Sequence, residues 1–246
     1  SQPNYIAKIG QPMGMIYGYI YEGTYKYDDF DKSGSSYTLK GNIPHYVSES
    51  NTQPGMPKYK DLNGDGVIDT NDRTMIGRGL PIHTGGFTNN FEYKGFDLSV
   101  FFQWSYGNDV LNANRLFFDS GFQKKRELNQ YASYTDRWTP ENPNSNIPAA
   151  TNSSSNLVIS SRVVEDASFL RLKTVTLGYT VPKTFLKKYK IDNARLYVAA
   201  QNLWTITGYS GYDPEVSIRS GGLTPGLDFS SYPRALSVSF GINLGF

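Results

Sequence analysis

The sequence predicts an all-β protein of membrane type: a segment of an antiparallel transmembrane β-barrel carrying long extracellular loops. Three observations lead there. Residues 236–246 alternate without a fault, with Leu236, Val238, Phe240, Ile242, Leu244 and Phe246 on one side and Ser237, Ser239, Gly241, Asn243 and Gly245 on the other. Successive side chains of a strand point to opposite faces, so one face is wholly apolar and the other small or polar. The stretch is as long as the roughly 9–11 residues with which a tilted strand crosses the hydrocarbon core. The second observation is composition: 19 Tyr, 14 Phe and 3 Trp make 15% of the 246 residues aromatic, while only 19% is charged. Aromatic girdles above a polar lumen and polar loops give this mix. The third is the rhythm of the connections between strand candidates.

Six strands are expected. Residues 13–23 (MGMIYGYIYEG) are aromatic and β-branched, with Tyr17, Tyr19 and Tyr21 on one face. Residues 85–93 and 96–106 are separated only by Lys94-Gly95, which reads as a tight hairpin. In the second arm Phe96, Leu98, Val100, Phe102 and Trp104 share a face opposite Asp97, Ser99, Phe101, Gln103 and Ser105. Residues 169–181 form a strand that Pro182 ends, 194–205 alternate Leu196, Val198 and Ala200 with Arg195, Tyr197 and Gln201, and 236–246 complete the set. Short helices are expected over 124–138 and 183–188.

The links between these strands run about 60, two, about 60, about 11 and about 30 residues, the alternation of long outside loops and short periplasmic turns. This places 24–84, 107–168 and 206–234 outside the cell and Phe246 on the periplasmic side, where the terminal aromatic resembles a barrel-assembly signal. Phe96, Leu98, Val100, Phe102, Leu236, Val238, Phe240, Ile242 and Leu244 are expected to face lipid. Six strands cannot close a membrane barrel, whose smallest forms have about eight. An open edge in lipid leaves backbone groups unpaired, so the missing strands must come from elsewhere in the gene product or from another chain.

Composition excludes several classes. No stretch approaches the roughly 18 apolar residues of a spanning helix. Without cysteine there are no disulfides or thiolate metal sites. A net charge of +2, with Lys and Arg scattered except at Lys183, Lys187, Lys188 and Lys190, gives no reason for a nucleic-acid partner. Residues 1–10 lack a signal-peptide layout, so the chain reads as a mature product or a C-terminal piece of something longer. Neither a nucleophile motif nor a Gly-rich phosphate loop appears, and an enzyme is not expected.

One stretch carries chemistry. Residues 61–72 (DLNGDGVIDTND) follow the calcium-loop spacing D-x-[DN]-x-[DN]-G. Ca²⁺ takes six to eight oxygens, the sixth-position glycine allows the sharp turn and the seventh residue offers its carbonyl. The expected ligands of a structural Ca²⁺ are therefore Asp61, Asn63, Asp65, the Val67 carbonyl, Asp69 and Asp72. Asp72 replaces the usual bidentate Glu, and Gly77, Gly79 and Pro81 leave no room for an exiting helix, so this is a loop staple and not a regulatory EF-hand. The bland reading is that Asn, Asp and Gly simply make turns. Trp138, Tyr209 and Tyr212 lie on outside loops and are candidates to stack on a sugar or peptide, although girdle or loop-core packing is the role favoured for each. His45 and His83 read as solvated loop histidines.

Several blocks in fixed order resemble the C-terminal barrel region of SusC/RagA-type TonB-dependent outer-membrane transporters of Bacteroidota. They are YKDLNGDGVIDTNDRTMIGRGLP, GGFTNNFEYKGFDLSVFFQWSYGNDV, SFLRLKTVTLGYTVP, NARLYVAAQNLWTITGYSGYDPE and SVSFGINLGF. The similarity runs from Gly10-Gln11-Pro12 onward. It implies the last strands of a barrel of about 22 strands, plugged by an N-terminal domain. It also implies a place in the cell outer membrane, a SusD-like surface lipoprotein as partner, and uptake of oligosaccharides or peptides with energy from TonB. The plug and TonB box lie outside this stretch. The runner-up from another class is a secreted β-rich carbohydrate-binding module with a structural calcium loop, which would be soluble without detergent.

Overall fold

The computed structural model describes residues 4–121, 129–151, 156–218 and 221–246, which fall into two compact units. One comprises segments 81–108, 166–215 and 232–246; the other is drawn from segments 1–80, 109–165 and 216–231.

The first unit is a wall of five strands: β1 (His83–Tyr93), β2 (Phe96–Tyr106), β3 (Phe169–Thr180), β4 (Asn193–Thr207) and β5 (Ser237–Gly245). Their order in the sheet is their order in the chain, and every neighbouring pair is antiparallel. The first connection is the two-residue turn Lys94-Gly95, both at positive φ (46° and 87°), as a hairpin turn that matches the strand twist requires.

The register sorts the faces. One row across all five strands reads Phe91, Leu98, Leu177, Val198, Phe240, and the next reads Tyr93, Phe96, Tyr179, Leu196, Ile242. The row one residue over, on the other face, reads Asn90, Ser99, Thr176, Ala199, Ser239. A slip of one residue would exchange the faces, so the alternation fixes the pairing. Where the register shifts between Leu172 and Thr174, the extra residue is absorbed as a bulge, and Leu172 and Val175 stay on the apolar face.

The apolar face is exposed: Phe91 is 58% and Phe240 82% accessible. Burying one such side chain contributes roughly 1.5–3 kcal/mol in water, and a soluble sheet would cover the whole face. Exposed apolar rows backed by polar rows suit a sheet with lipid on one side and a lumen on the other. Aromatics gather at both ends of the apolar face, with Tyr93, Phe96 and Tyr179 near the Lys94-Gly95 turn and Trp104, Tyr106 and Trp204 at the far end. These are the positions of interfacial girdles.

The expected first strand over 13–23 is corrected. It divides into Met15–Gly18, which pairs with Tyr5–Ile6 and Thr74–Arg78, and Tyr21–Thr24, which pairs with Pro57–Tyr59. Neither belongs to the wall. Ile16 and Tyr19 are buried, and the Tyr19 ring packs on Tyr46 and Tyr59 at 5.6 and 5.4 Å. The pattern that looks like a girdle-bearing strand is satisfied inside the second unit.

That unit is built of short strands around three small cores. Ile16, Leu111, Ala113, Leu116, Val163 and Leu227 make one; Tyr19, Tyr59 and Ile68 the second; Tyr25, Phe30 and Leu39 the third. Much of what the sequence assigns to outside loops is therefore folded. Of the helix expected over 124–138, residues 124–128 lie outside the described residues and Ala132–Asp136 is a 3₁₀ turn. The other is one helical turn, Lys183–Leu186, continued as a 3₁₀ turn to Tyr189.

Candidate functional site

The polar face of the wall carries a charge cluster that the sequence does not announce. Arg171 sits on β3 in the row with Gln103 and Thr205, yet it is only 2% exposed. Its Nε donates to Thr205 Oγ1 at 2.9 Å, Nη2 to Asp213 Oδ1 at 2.6 Å and Nη1 to Glu215 Oε2 at 3.0 Å. Glu215 also pairs with Lys173 and with Arg234, the latter at 3.0 Å. Asp213 accepts the Glu215 amide at 2.9 Å and the Arg234 amide at 3.1 Å. Burial pushes the Asp213 carboxyl up, but the Glu215 amide, Arg171 and the Arg234 amide together hold it below the usual carboxylate range. The cluster ties the chain that leaves β4, and the chain that enters β5, to the polar face of β3.

A second pair lies nearer the short turns. Arg195 of β4 reaches across β3 to Asp97 of β2, and Gly178 makes this possible. A Cβ at Gly178 would come within 2.4 Å of the guanidinium and 2.5 Å of the carboxylate. Any larger residue would force the guanidinium and carboxylate to shift. The partly exposed Arg195–Asp97 pair can meet a polar solute, whereas Arg171 and Asp213 are buried and serve to hold the chain.

The calcium-like loop has a different geometry from the one its spacing suggests. Asp61 accepts the Gly64 and Gly66 amides at 2.7 and 2.9 Å. Asp65 accepts the Val67 amide at 2.9 Å and the Asn63 side-chain amide at 2.9 Å, while Asp69 accepts the Asn71 amide at 2.7 Å. Asp72 is fully buried and takes the Leu62 and Asp69 amides, each at 2.8 Å. Amide donors hold the Asp61 carboxyl below the usual range, that of Gly66 foremost. Among the described residues no three acidic or histidine side chains gather around a point that could hold a metal ion. The carboxylates thus do not form a preformed cage among themselves; Asp61, Asp65 and Asp69 cap amides two to five residues on, as in Asx turns, and Asp72 takes amides that precede it. Backbone bonds between His45 and the loop at Gly66 and Ile68, with Ile68 in the core, complete the anchoring.

No family model matches the chain. It is 37% identical over 246 residues to TonB-dependent receptor P3 of Formosa agariphila, covering 98% of this chain and 23% of that protein. It is 28% identical over 201 residues to TonB-dependent receptor SusC of Bacteroides thetaiotaomicron, covering 81% of this chain and 18% of that protein. Among solved structures it matches the RagAB peptide importer in the closed-closed state, with a TM-score of 0.71 and 25% identity over 99% of this chain and 24% of that one. The chain belongs to the SusC/RagA-type TonB-dependent transporters. It spans about a quarter of the length of the relatives it matches and is part of an all-β barrel of the outer membrane.

For a SusC/RagA-type wall, the candidate stacking residues are placed unequally. Trp138 is buried: its ring packs against Gly55, where a Cβ would approach to 2.5 Å, and lies 5.5 Å from the Tyr27 ring. Tyr209 is buried over Gly211. Both are buried, in keeping with the packing role favoured for them over substrate stacking. Tyr212 is 84% exposed and next to Asp213 in the chain, so it remains available. His83 opens β1, stacks on Tyr106 at 5.1 Å and accepts the Trp104 indole N–H at 3.1 Å, a structural role. His45 serves the loop through its backbone. The Arg171 cluster escapes sequence reasoning because its acids lie 42 and 44 positions away; a lone Arg in a polar-face register position is the only signal.

Proposed function

We propose that this chain supplies wall strands and extracellular loops of a TonB-dependent importer of oligosaccharides or peptides, working with a SusD-like surface lipoprotein. The observation that carries the reading is the pair of opposed faces, apolar rows exposed on one side and polar rows on the other across all five strands. Among the described residues β1 and β5 each have a partner on one side only. In a bilayer such edges require further strands, which the remainder of a protein about four times as long would provide. The work is passage and not chemistry: a polar solute held among the outside loops moves along the polar face once the plug yields. Arg171, Asp213 and Glu215 hold the segments 208–215 and 232–236 at that face, and Tyr212 offers an exposed ring beside Asp213 in the chain.

The test is growth of a strain carrying only the full-length transporter and its lipoprotein on single oligosaccharides or peptides, with and without TonB. Growth lost equally on deleting the transporter, the lipoprotein or TonB is expected. A protein recovered in the soluble fraction without detergent would overturn the reading in favour of a secreted carbohydrate-binding module. The same growth series decides between glycan and peptide.

A further inference from the structure

The helical connection between β3 and β4 has no task in the reading so far, yet it is unusually dressed. Lys183, Lys187, Lys188 and Lys190 are all exposed within residues 181–192. Phe185, on the helical turn, and Tyr189, at the end of the 3₁₀ turn that continues it, are 70% and 68% exposed, while Leu186 between them in sequence is buried. Two bare aromatics ringed by lysines gain nothing from water. The same combination, apolar rings with basic side chains on the polar side, lies in the interface of anionic bilayers.

Its place in the fold agrees. The connection leaves β3 at Thr180, whose amide donates to Gly95 O at 2.8 Å, so it lies beside the Lys94-Gly95 turn. The exposed apolar face ends there in Tyr93, Phe96 and Tyr179, with the Phe96 and Tyr179 rings 4.6 Å apart and Lys94 Nζ 5.1 Å from the Tyr93 ring centre. The aromatic rim of the lipid-facing surface thus continues into the basic connection. Asp192, Glu92 and Asp97 are the acidic groups near this end, Asp97 already paired with Arg195, against five lysines. A net positive rim at the edge of an apolar surface attracts anionic headgroups, each basic residue near such a surface adding to the attraction.

We propose that residues 181–192, with Lys94, form a docking surface for anionic phospholipid of the leaflet bordering the short turns, Phe185 and Tyr189 entering the interface and the lysines taking the headgroup. This rests on the lipid-facing wall, and the experiment separates the two. In the full-length transporter, freed of other cysteines, a fluorescent label is attached at Thr184→Cys or, as a mid-wall reference, at Leu177→Cys. The protein is reconstituted in vesicles with brominated phosphatidylglycerol or brominated phosphatidylcholine at equal bromine content. At 184, quenching by phosphatidylglycerol is expected to exceed that by phosphatidylcholine by about twofold or more, given the attraction of several basic residues. The joint change of Lys183, Lys187, Lys188 and Lys190 to Gln should abolish that excess. At 177 both lipids should quench alike in every background. Equal quenching at 184 by the two lipids, or an excess that survives the Gln changes, overturns the proposal. Protection of the 184 label from an aqueous quencher in lipid-free detergent also overturns it, because a protein surface then covers the helix. Absence of quenching at 177 would instead defeat the wall itself.

Discussion

The two units of this chain use the same aromatic-rich vocabulary in opposite senses. In the wall, Phe91, Phe240 and Ile242 point outward and stay exposed. In the other unit, Tyr19, Tyr25 and Tyr59 point inward and are buried. Burial pushes the Tyr19 hydroxyl up to about 12 and raises those of Tyr25 and Tyr59 as well, as expected of phenols cut off from water. Only the solvent differs. An aqueous domain gathers its rings into cores, three small ones here, whereas a lipid-facing sheet turns its rings outward and keeps its polar rows on the inner side.

The sharpest way to break this symmetry is to remove a methylene-rich side chain from an aqueous core. Leu111 is fully buried with Ile16, Val163 and Leu227, and Leu111→Ala should cost that unit about 2–5 kcal/mol. Limited proteolysis should show faster cleavage within 1–80 and 109–165. The heat resistance of the barrel, read by its shift on unboiled gels, should stay the same, since the wall owes its stability to strand pairing and lipid.

The complementary change targets the wall. Leu177 lies mid-row between Leu98 and Val198 on the apolar face, and Leu177→Arg should destabilise the barrel by about 2–4 kcal/mol. Thr176, its neighbour on the polar face, should tolerate Lys with little loss. Outer-membrane levels and heat resistance of the two variants provide the measurement. Equal losses would mean the faces are not lipid and lumen.

How much of this is legible in the chain follows from the same contrast. Strict alternation over 96–106 and 236–246 discloses the wall because each residue there has one solvent per face, and period two records it directly. Residues 13–23 alternate as well, but their partners are Thr74–Arg78 and Pro57–Tyr59 in a folded unit, and nothing local distinguishes a ring facing lipid from one facing Tyr59. The Arg171 cluster needs acids more than 40 positions away, and only the β3–β4 register and the path of the following loop bring them together.

That cluster gives a pH-dependent test within the wall unit. Asp213 has its carboxyl depressed in the folded protein, so its contribution is present above the ordinary aspartate value of about 3.9 and fades as pH falls through the lower folded value. Protease cleavage within 208–236 should therefore stay constant from neutral pH down to about 4 and rise only in stronger acid. Asp213→Asn keeps the size and removes the charge facing Arg171. It should raise cleavage already at neutral pH, by an amount equivalent to about 1–3 kcal/mol for a weakened buried charge-assisted bond. An unchanged cleavage rate in Asp213→Asn would show that the loop is held by other contacts.

The smallest expected effect concerns the acidic loop of the other unit, where the calcium spacing and the hydrogen bonds lead to different outcomes. If the carboxylates are held by amides, the loop keeps its shape without a divalent ion, and a chelator should leave cleavage between Tyr59 and Gly79 unchanged. Asp72→Ala should not be silent. It strips the Leu62 and Asp69 amides of a buried acceptor, worth about 1–3 kcal/mol for the groups left unsatisfied, and should open the loop to protease. Asp65→Ala, whose carboxylate is exposed and serves only Val67 and Asn63, should do far less. A cage would reverse this order, because Asp65 occupies a central ligand position and its loss, like chelation, would release the ion. Cleavage that rises equally with chelator, Asp65→Ala and Asp72→Ala would therefore restore calcium as what holds the loop, and a response confined to Asp72 would assign that role to the buried carboxylate.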